Sequence, residues 1–157
     1  MANLQELSDR LEINDLLIRY TYAIDDGDWE LLDRVFTPDA QIDYTSSGGI
    51  AGPYPEIRTW LAEVLSTFAV KVHYVTNTTV DLAGDRARAR TLVLAANGAP
   101  GADGALNGFT VGAQYRDELV RTPEGWRIAT RIEDQLFLDT STDVVAPTAP
   151  SESPAGR

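Results

Sequence analysis

Apolar positions along this chain change their period part-way, and the change marks out its elements. Leu4, Leu7, Leu11, Leu17, Ile18 and Ile24 recur at helical spacing. Asn3 offers a capping side chain and Glu6 an acid three residues on, which is a helix-start signature; Gly27 supplies the stop. Asp28 then caps a short second helix in which Trp29, Leu32, Val35 and Phe36 share a face, with Pro38 marking its end. Residues 40–45 read as a strand, with Ile42 and Tyr44 on one side and Gln41 and Asp43 on the other. Residues 46–52 are loop. Residues 53–68 form the clearest helix, because Ile57, Trp60, Leu61, Val64, Leu65 and Phe68 follow the i, i+3, i+4, i+7 pattern.

Beyond residue 70 the period falls to two. Residues 72–82 and 86–96 form strands joined at Gly84, and residues 109–121 pair with 126–138 through the turn Thr122-Pro123-Glu124-Gly125. The glycine-containing stretch 97–108 is a connecting loop. It lacks the strand-to-helix context and the lysine of a phosphate cradle. Residues 140–157 are rich in Pro, Ser, Thr and Ala without any period, so a disordered tail is expected there. One domain over residues 1–138 and a tail over 139–157 follow. The order of helix, helix, strand, helix and four long antiparallel strands gives an α+β fold, a curved sheet wrapped as a cone around three helices of the N-terminal half. Such a cone leaves an apolar hollow at its wide end, a common ligand site.

Strand parity says which side chains face that hollow. Phe109, Val111, Ala113, Tyr115 and Leu119 share the core face of the third long strand, and Gln114, Arg116 and Glu118 share the outer face. On the last strand Trp126, Ile128, Ile132 and Leu136 face in, while Arg127, Arg131 and Glu133 face out, so no arginine points inward. Asp117 and Asp134 fall on the inner face, where acids are expected to lie near an open strand end and reach water. The strand over 72–82 is undecided. His73, Val75, Asn77 and Thr79 share one face, Val72, Tyr74, Thr76 and Val80 the other, and neither is plainly apolar.

Composition narrows the chemistry. A net charge of −11 argues against nucleic acid, whose binding needs many Lys or Arg contacts to phosphate. No apolar run approaches the ~18 residues of a membrane span, and the charges within residues 4–24 argue against a signal peptide. A soluble cytoplasmic protein is expected. The absence of Cys excludes disulfides and thiol nucleophiles, and a single His leaves no ordinary transition-metal ligand set, so no metal is expected. Chemistry concentrates in residues 19–44, where Tyr20, Asp25 and Tyr44 fall at positions compatible with an inward face. Asp25 and Asp26 end a helix whose dipole disfavours acids there. His73 is the one imidazole available as a base.

The segments Tyr20-(x)4-Asp25-x-Gly27-Asp28-Trp29, Phe36-Thr37-Pro38-Asp39-Ala40, Ile42-Asp43-Tyr44, His73-x-x-x-Asn77 and Gly125-Trp126-Arg127 resemble those of a known superfamily. It comprises nuclear transport factor two, the SnoaL-like polyketide cyclases, ketosteroid isomerase and scytalone dehydratase, which share a cystatin-like α+β barrel. The resemblance runs from Leu4 to about Leu138 and is nearest to the scytalone dehydratase-like branch. It implies Asp25, Tyr44 and His73 as catalytic residues, with Tyr20, Tyr115, Trp60 and Asn77 as the expected substrate-binding set. It also implies a homodimer or homotrimer. Two departures stand out: the dehydratase's second histidine falls where this chain has Leu94-Ala95-Ala96-Asn97, and its asparagine falls at Tyr115. The aspartate base of ketosteroid isomerase would fall at Tyr44, a phenol with a pKa near ~10 that cannot act as that base.

With a histidine as general acid/base, oriented by a carboxylate, and phenols donating to a developing enolate oxygen, the reaction class is elimination of water, isomerisation or cyclisation of a small hydrophobic carbonyl compound. None of these needs a cofactor. Two rivals remain: a ligand-binding or interaction module of the same fold without chemistry, and an epoxide hydrolase, which needs an inward Arg flanked by two acids.

Overall fold

The computed structural model describes residues 3–102 and 105–140. The elements are α1 (Leu4–Asp26), α2 (Trp29–Leu32), β1 (Phe36–Asp43), a 3-10 turn (Thr45–Ser47), β2 (Ala51–Pro53), α3 (Tyr54–Leu65), β3 (Val70–Ala83), β4 (Arg86–Pro100), β5 (Leu106–Thr122) and β6 (Gly125–Asp139). One six-stranded curved sheet has the order β2-β1-β6-β5-β4-β3. Only the β1–β6 pairing is parallel. Among the described residues no helix is long and apolar enough to cross a membrane.

The start of α1 follows its sequence. The Asn3 side chain accepts from the Glu6 N–H, and the Glu6 carboxylate accepts from the Asn3 N–H. Gly27 ends the helix at φ 70°, a left-handed conformation that a side chain would resist. The buried face is offset from the expected stripe, however. Ile13, Leu16, Leu17, Tyr20, Ala23 and Ile24 are buried, whereas Leu4, Leu7 and Leu11 are exposed. The helix carries two apolar stripes, and one of them meets the sheet.

Three other local features differ from the sequence reading. The second helix stops at Leu32, and Phe36 already begins β1. Pro38 lies within β1, where pairing with β6 jumps from Phe36↔Ile128 to Gln41↔Thr130. An interrupted ladder asks no N–H of a proline, so the ring is tolerated there. The stretch expected as a loop over 97–108 is mostly strand, because β4 continues to Pro100 and pairs through Gly98↔Gly108 and Pro100↔Leu106. Of the tail expected at 139–157, Asp139 closes β6 and residues 141–157 lie outside the described residues.

Bulges decide which side chains face the concave side. In β6 an extra residue at Ala129 separates Leu119↔Ile128 from Glu118↔Thr130. The alternation flips there. Trp126 and Ile128 point inward before it, and Arg131 and Glu133 after it, which corrects the expectation that both charged residues face out. Asp134 moves outward by the same flip and pairs with the exposed Arg116 at 2.6 Å. In β3 the register slips between Val75 and Thr78, which carries Asn77 to the outside.

Candidate active site

The last turn of α1, the first strand of the long hairpin and the bulged β6 converge on one cavity of about 230 Å³. Its wall is mostly apolar, with Ile24, Leu61, Phe68, Val93 and Phe109 among the lining residues. The polar groups on it are the side chains of Tyr20, Tyr44, Ser47, His73, Asn97, Tyr115 and Glu133.

His73 reaches the cavity from β3. Its Nδ1 lies 2.6 Å from Asp25 Oδ1, and its backbone N–H donates to Asp25 Oδ2 at 2.8 Å. Asp25 sits on the penultimate position of α1, one residue before the helix ends. Both of its oxygens are therefore spent on one residue of the neighbouring strand, which offsets the cost of an acid at a helix C-terminus. An ionised carboxylate only accepts, so the proton between them belongs to Nδ1, and in the neutral ring Nε2 then carries the lone pair. The side chains of His73 and Asp25 are 11% and 18% exposed, so solvent reaches the pair.

The same cavity is lined by a cluster of phenols. The Tyr20 and Tyr44 hydroxyls are hydrogen-bonded at 2.9 Å, and the Tyr20 ring meets Tyr115 edge-on with centroids 5.7 Å apart. Burial pushes all three hydroxyls well above the ordinary phenol range. They stay protonated and serve as donors. Trp60 closes the same wall, with its ring centroid 6.2 Å from that of Tyr44. Gly49 allows this approach, since a Cβ there would lie 2.7 Å from Trp60 Cη2 and 2.9 Å from the Tyr44 carbonyl oxygen.

Beneath the phenols lies Arg131, fully buried. Its guanidinium carbon is 4.2 Å from the centroid of Tyr20 and 3.9 Å from that of Tyr115. Nε and Nη2 donate to the two Asp117 oxygens at 2.8 Å each. Asp117 is thus sealed in the core against an arginine, where a solvent-reaching strand end was expected. Arg131 supplies the inward arginine that the parity reading missed. It does not line the cavity, because Tyr20 and Tyr115 stand between them. The arrangement of an arginine flanked by two acids at the reacting centre is therefore not formed.

Of the residues expected from sequence, His73, Tyr44, Tyr20, Tyr115 and Trp60 line the cavity, and Asp25 holds His73 from behind. Asn77 does not join them. It is exposed and borders a shallow surface dent with Thr78, Arg90 and Leu92. Sequence reasoning missed Glu133, Ser47 and Asn97. The first was lost to the Ala129 bulge, and the last to the assumption that residues 97–108 are loop. Among the described residues no three His, Cys, Asp or Glu side chains converge as metal ligands would.

The sequence matches the model of the SnoaL-like domain over residues 5–132. The chain belongs to the SnoaL-like domain family. The uncharacterized protein Rv2910c of Mycobacterium tuberculosis is 46% identical over 137 residues, covering 87% of this chain and 92% of that one. Among solved structures, a Novosphingobium aromaticivorans protein named provisionally as an aromatic ring hydroxylase is 33% identical, with a TM-score of 0.75 over 85% of this chain and 93% of that one. A hexachlorocyclohexane dehydrochlorinase (LinA) of type 2 is 21% identical, with a TM-score of 0.79 over 95% and 99%. A protein named provisionally as a scytalone dehydratase, also from Novosphingobium aromaticivorans, is 21% identical, with a TM-score of 0.71 over 96% and 95%. A Novosphingobium aromaticivorans protein named as nuclear transport factor two-like with a cystatin-like fold is 25% identical, with a TM-score of 0.62 over 87% and 92%, so this chain shares its fold with scytalone dehydratase-like and nuclear transport factor two-like proteins, as the sequence segments implied.

Proposed function

We propose that this SnoaL-like protein is a cofactor-independent lyase or isomerase/cyclase that removes a proton next to a carbonyl group of a small hydrophobic substrate. The observation that carries this reading is the 2.6 Å contact between His73 Nδ1 and Asp25 in the wall of a largely apolar cavity that opens to solvent. His73 Nε2 takes the proton, Asp25 fixes the tautomer and stabilises the imidazolium, and the enolate oxygen accepts from the Tyr44 or Tyr20 hydroxyl. Arg131, stacked beneath the phenols, favours negative charge developing at those hydroxyls. Asn97 Oδ1 is buried without a partner among the described residues, so a substrate hydroxyl or N–H at that end of the cavity would satisfy it.

The fold neighbours support this class without choosing within it, since they include a dehydrochlorinase and a dehydratase-like protein. In the same reading the protein works in the cytoplasm as a homodimer or homotrimer. Support for self-association comes from the convex face of the sheet, where Val72, Tyr74, Leu92, Leu94 and Phe137 are each at least 37% exposed. Light scattering on the purified chain would count the subunits.

The catalytic reading is tested without knowing the natural substrate. A panel of one-ring ketones in deuterated buffer is followed for loss of the α-proton signal. Faster exchange with the wild-type chain, lost in His73→Ala and strongly slowed in Asp25→Asn, is the expected result. Ketones that bind but exchange no faster than in buffer would favour the non-catalytic ligand-binding module.

A further inference from the structure

The cavity holds a second ionisable side chain that the proton abstraction just described leaves idle. Glu133 lies on β6, with β5 and β4 between it and His73 on β3, so acid and base face each other across the concave side of the sheet. Tyr115 stands directly across the β5–β6 ladder from Glu133, and both line the cavity together with Ser47 from the 3-10 turn. The same Tyr115 meets the Tyr20 ring edge-on, and the Tyr20 hydroxyl bonds that of Tyr44. One cavity wall thus carries a carboxyl beside the enolate donors.

We propose that Glu133 is the acid that protonates the departing oxygen, and that the substrate is therefore a β-hydroxy carbonyl compound that loses water. This rests on His73 being the base. The step balances. His73 Nε2 takes the α-proton, the C–H pair becomes the new C=C bond, and the C–O pair leaves with the β-oxygen. That oxygen takes the Glu133 proton and departs as water. The enzyme is left with an imidazolium and a carboxylate, and return of one proton from His73 to Glu133 through cavity water restores it.

The surroundings suit the role. Burial holds the Glu133 carboxyl above its ordinary range, against the opposing pull of Ser47, Arg131, His73 and Tyr115. Those groups, with Tyr44, are among the polar and charged side chains that act on it. A carboxyl that holds its proton more firmly than an ordinary one suits donation to hydroxide, a poor leaving group that needs a proton. The same carboxyl offers nothing to an anion that leaves unaided.

The experiment compares a β-hydroxy ketone bearing one phenyl ring with its acetate ester, whose leaving group needs no proton. In Glu133→Gln, which keeps the shape but cannot donate as an acid, the ratio of hydroxy to acetate elimination rates should fall roughly 100- to 10,000-fold. The limb of the pH profile that falls at high pH for the hydroxy ketone should vanish as well. If α-deuterium exchange persists and the ratio stays within about threefold of wild type, the Glu133 assignment is overturned and the His73 reading stands. Absence of exchange in the wild-type chain would remove both. A merely structural Glu133 would lower both rates together and leave the ratio where it was.

Discussion

Removing the carboxylate of Asp117 should be the most damaging single change outside the cavity. Asp117 and Arg131 have fully buried side chains, joined by two bonds of 2.8 Å. Asp117→Ala leaves a guanidinium enclosed by the rings of Tyr20, Tyr115 and Phe36 with no counter-charge. Breaking such a pair from one side costs about 3–5 kcal/mol, because the surviving charge keeps its desolvation penalty. For a domain of this size that corresponds to a fall in melting temperature of roughly 10–15 °C. Replacing both partners with apolar residues of similar volume, Asp117→Leu with Arg131→Met, should recover most of the loss. Urea titrations of the three variants give the comparison. A cost below about 1 kcal/mol for Asp117→Ala would refute the reasoning, since it would mean that water or another acid reaches Arg131.

Other expectations follow from the same physics. Asp9, buried, accepts from Arg121 at 2.6 Å, from Gln5 at 3.0 Å and from Trp126 Nε1 at 3.2 Å. The Arg121 bond leads in pulling its carboxyl down to about 2. The folded value is below the unfolded one, so this stabilisation is complete above pH ~4 and is lost as pH falls toward 2. Asp9→Ala should cost about 2 kcal/mol at neutral pH through the orphaned indole N–H and flatten acid denaturation in that window. Glu133 has the opposite sign. Its folded value is raised, so stability should decline as pH climbs above the ordinary carboxylate range, and Glu133→Gln should remove that slope in unfolding experiments across pH. Gly49→Ala would drive a methyl into Trp60 and Tyr44, costing about 1–3 kcal/mol and weakening binding of one-ring ketones by calorimetry.

The elements were legible where local chemistry and tertiary packing agree. The capping pair Asn3 and Glu6, the stop at Gly27 and the apolar face of α3 are all as the sequence implies. His73 and Asp25 were reachable too, since an acid at a helix end asks for a compensating partner. Facing was legible only up to the first bulge. Alternation along β6 was read correctly through Ile128. One unpaired residue, Ala129, then reversed the assignments up to the next register shift at Leu136, hiding Arg131 and Glu133 and displacing Asp134. The slip after Val75 did the same to Asn77. A bulge inserts one residue between two ordinary stretches and leaves no compositional mark, so only the partner strand reveals it. The Leu4, Leu7 and Leu11 stripe misled differently. Helical period shows that a face is apolar, and not whether anything covers it.

His73 is the only histidine in the chain, so its ring nitrogens can be observed without assignment. Nitrogen-15 NMR of the imidazole in its singly protonated form tests the centre of the account directly. The account predicts a neutral ring protonated at Nδ1, with a strongly downfield proton on that nitrogen that disappears in Asp25→Asn. A neutral ring protonated at Nε2, with Nδ1 bare and indifferent to that substitution, would contradict it.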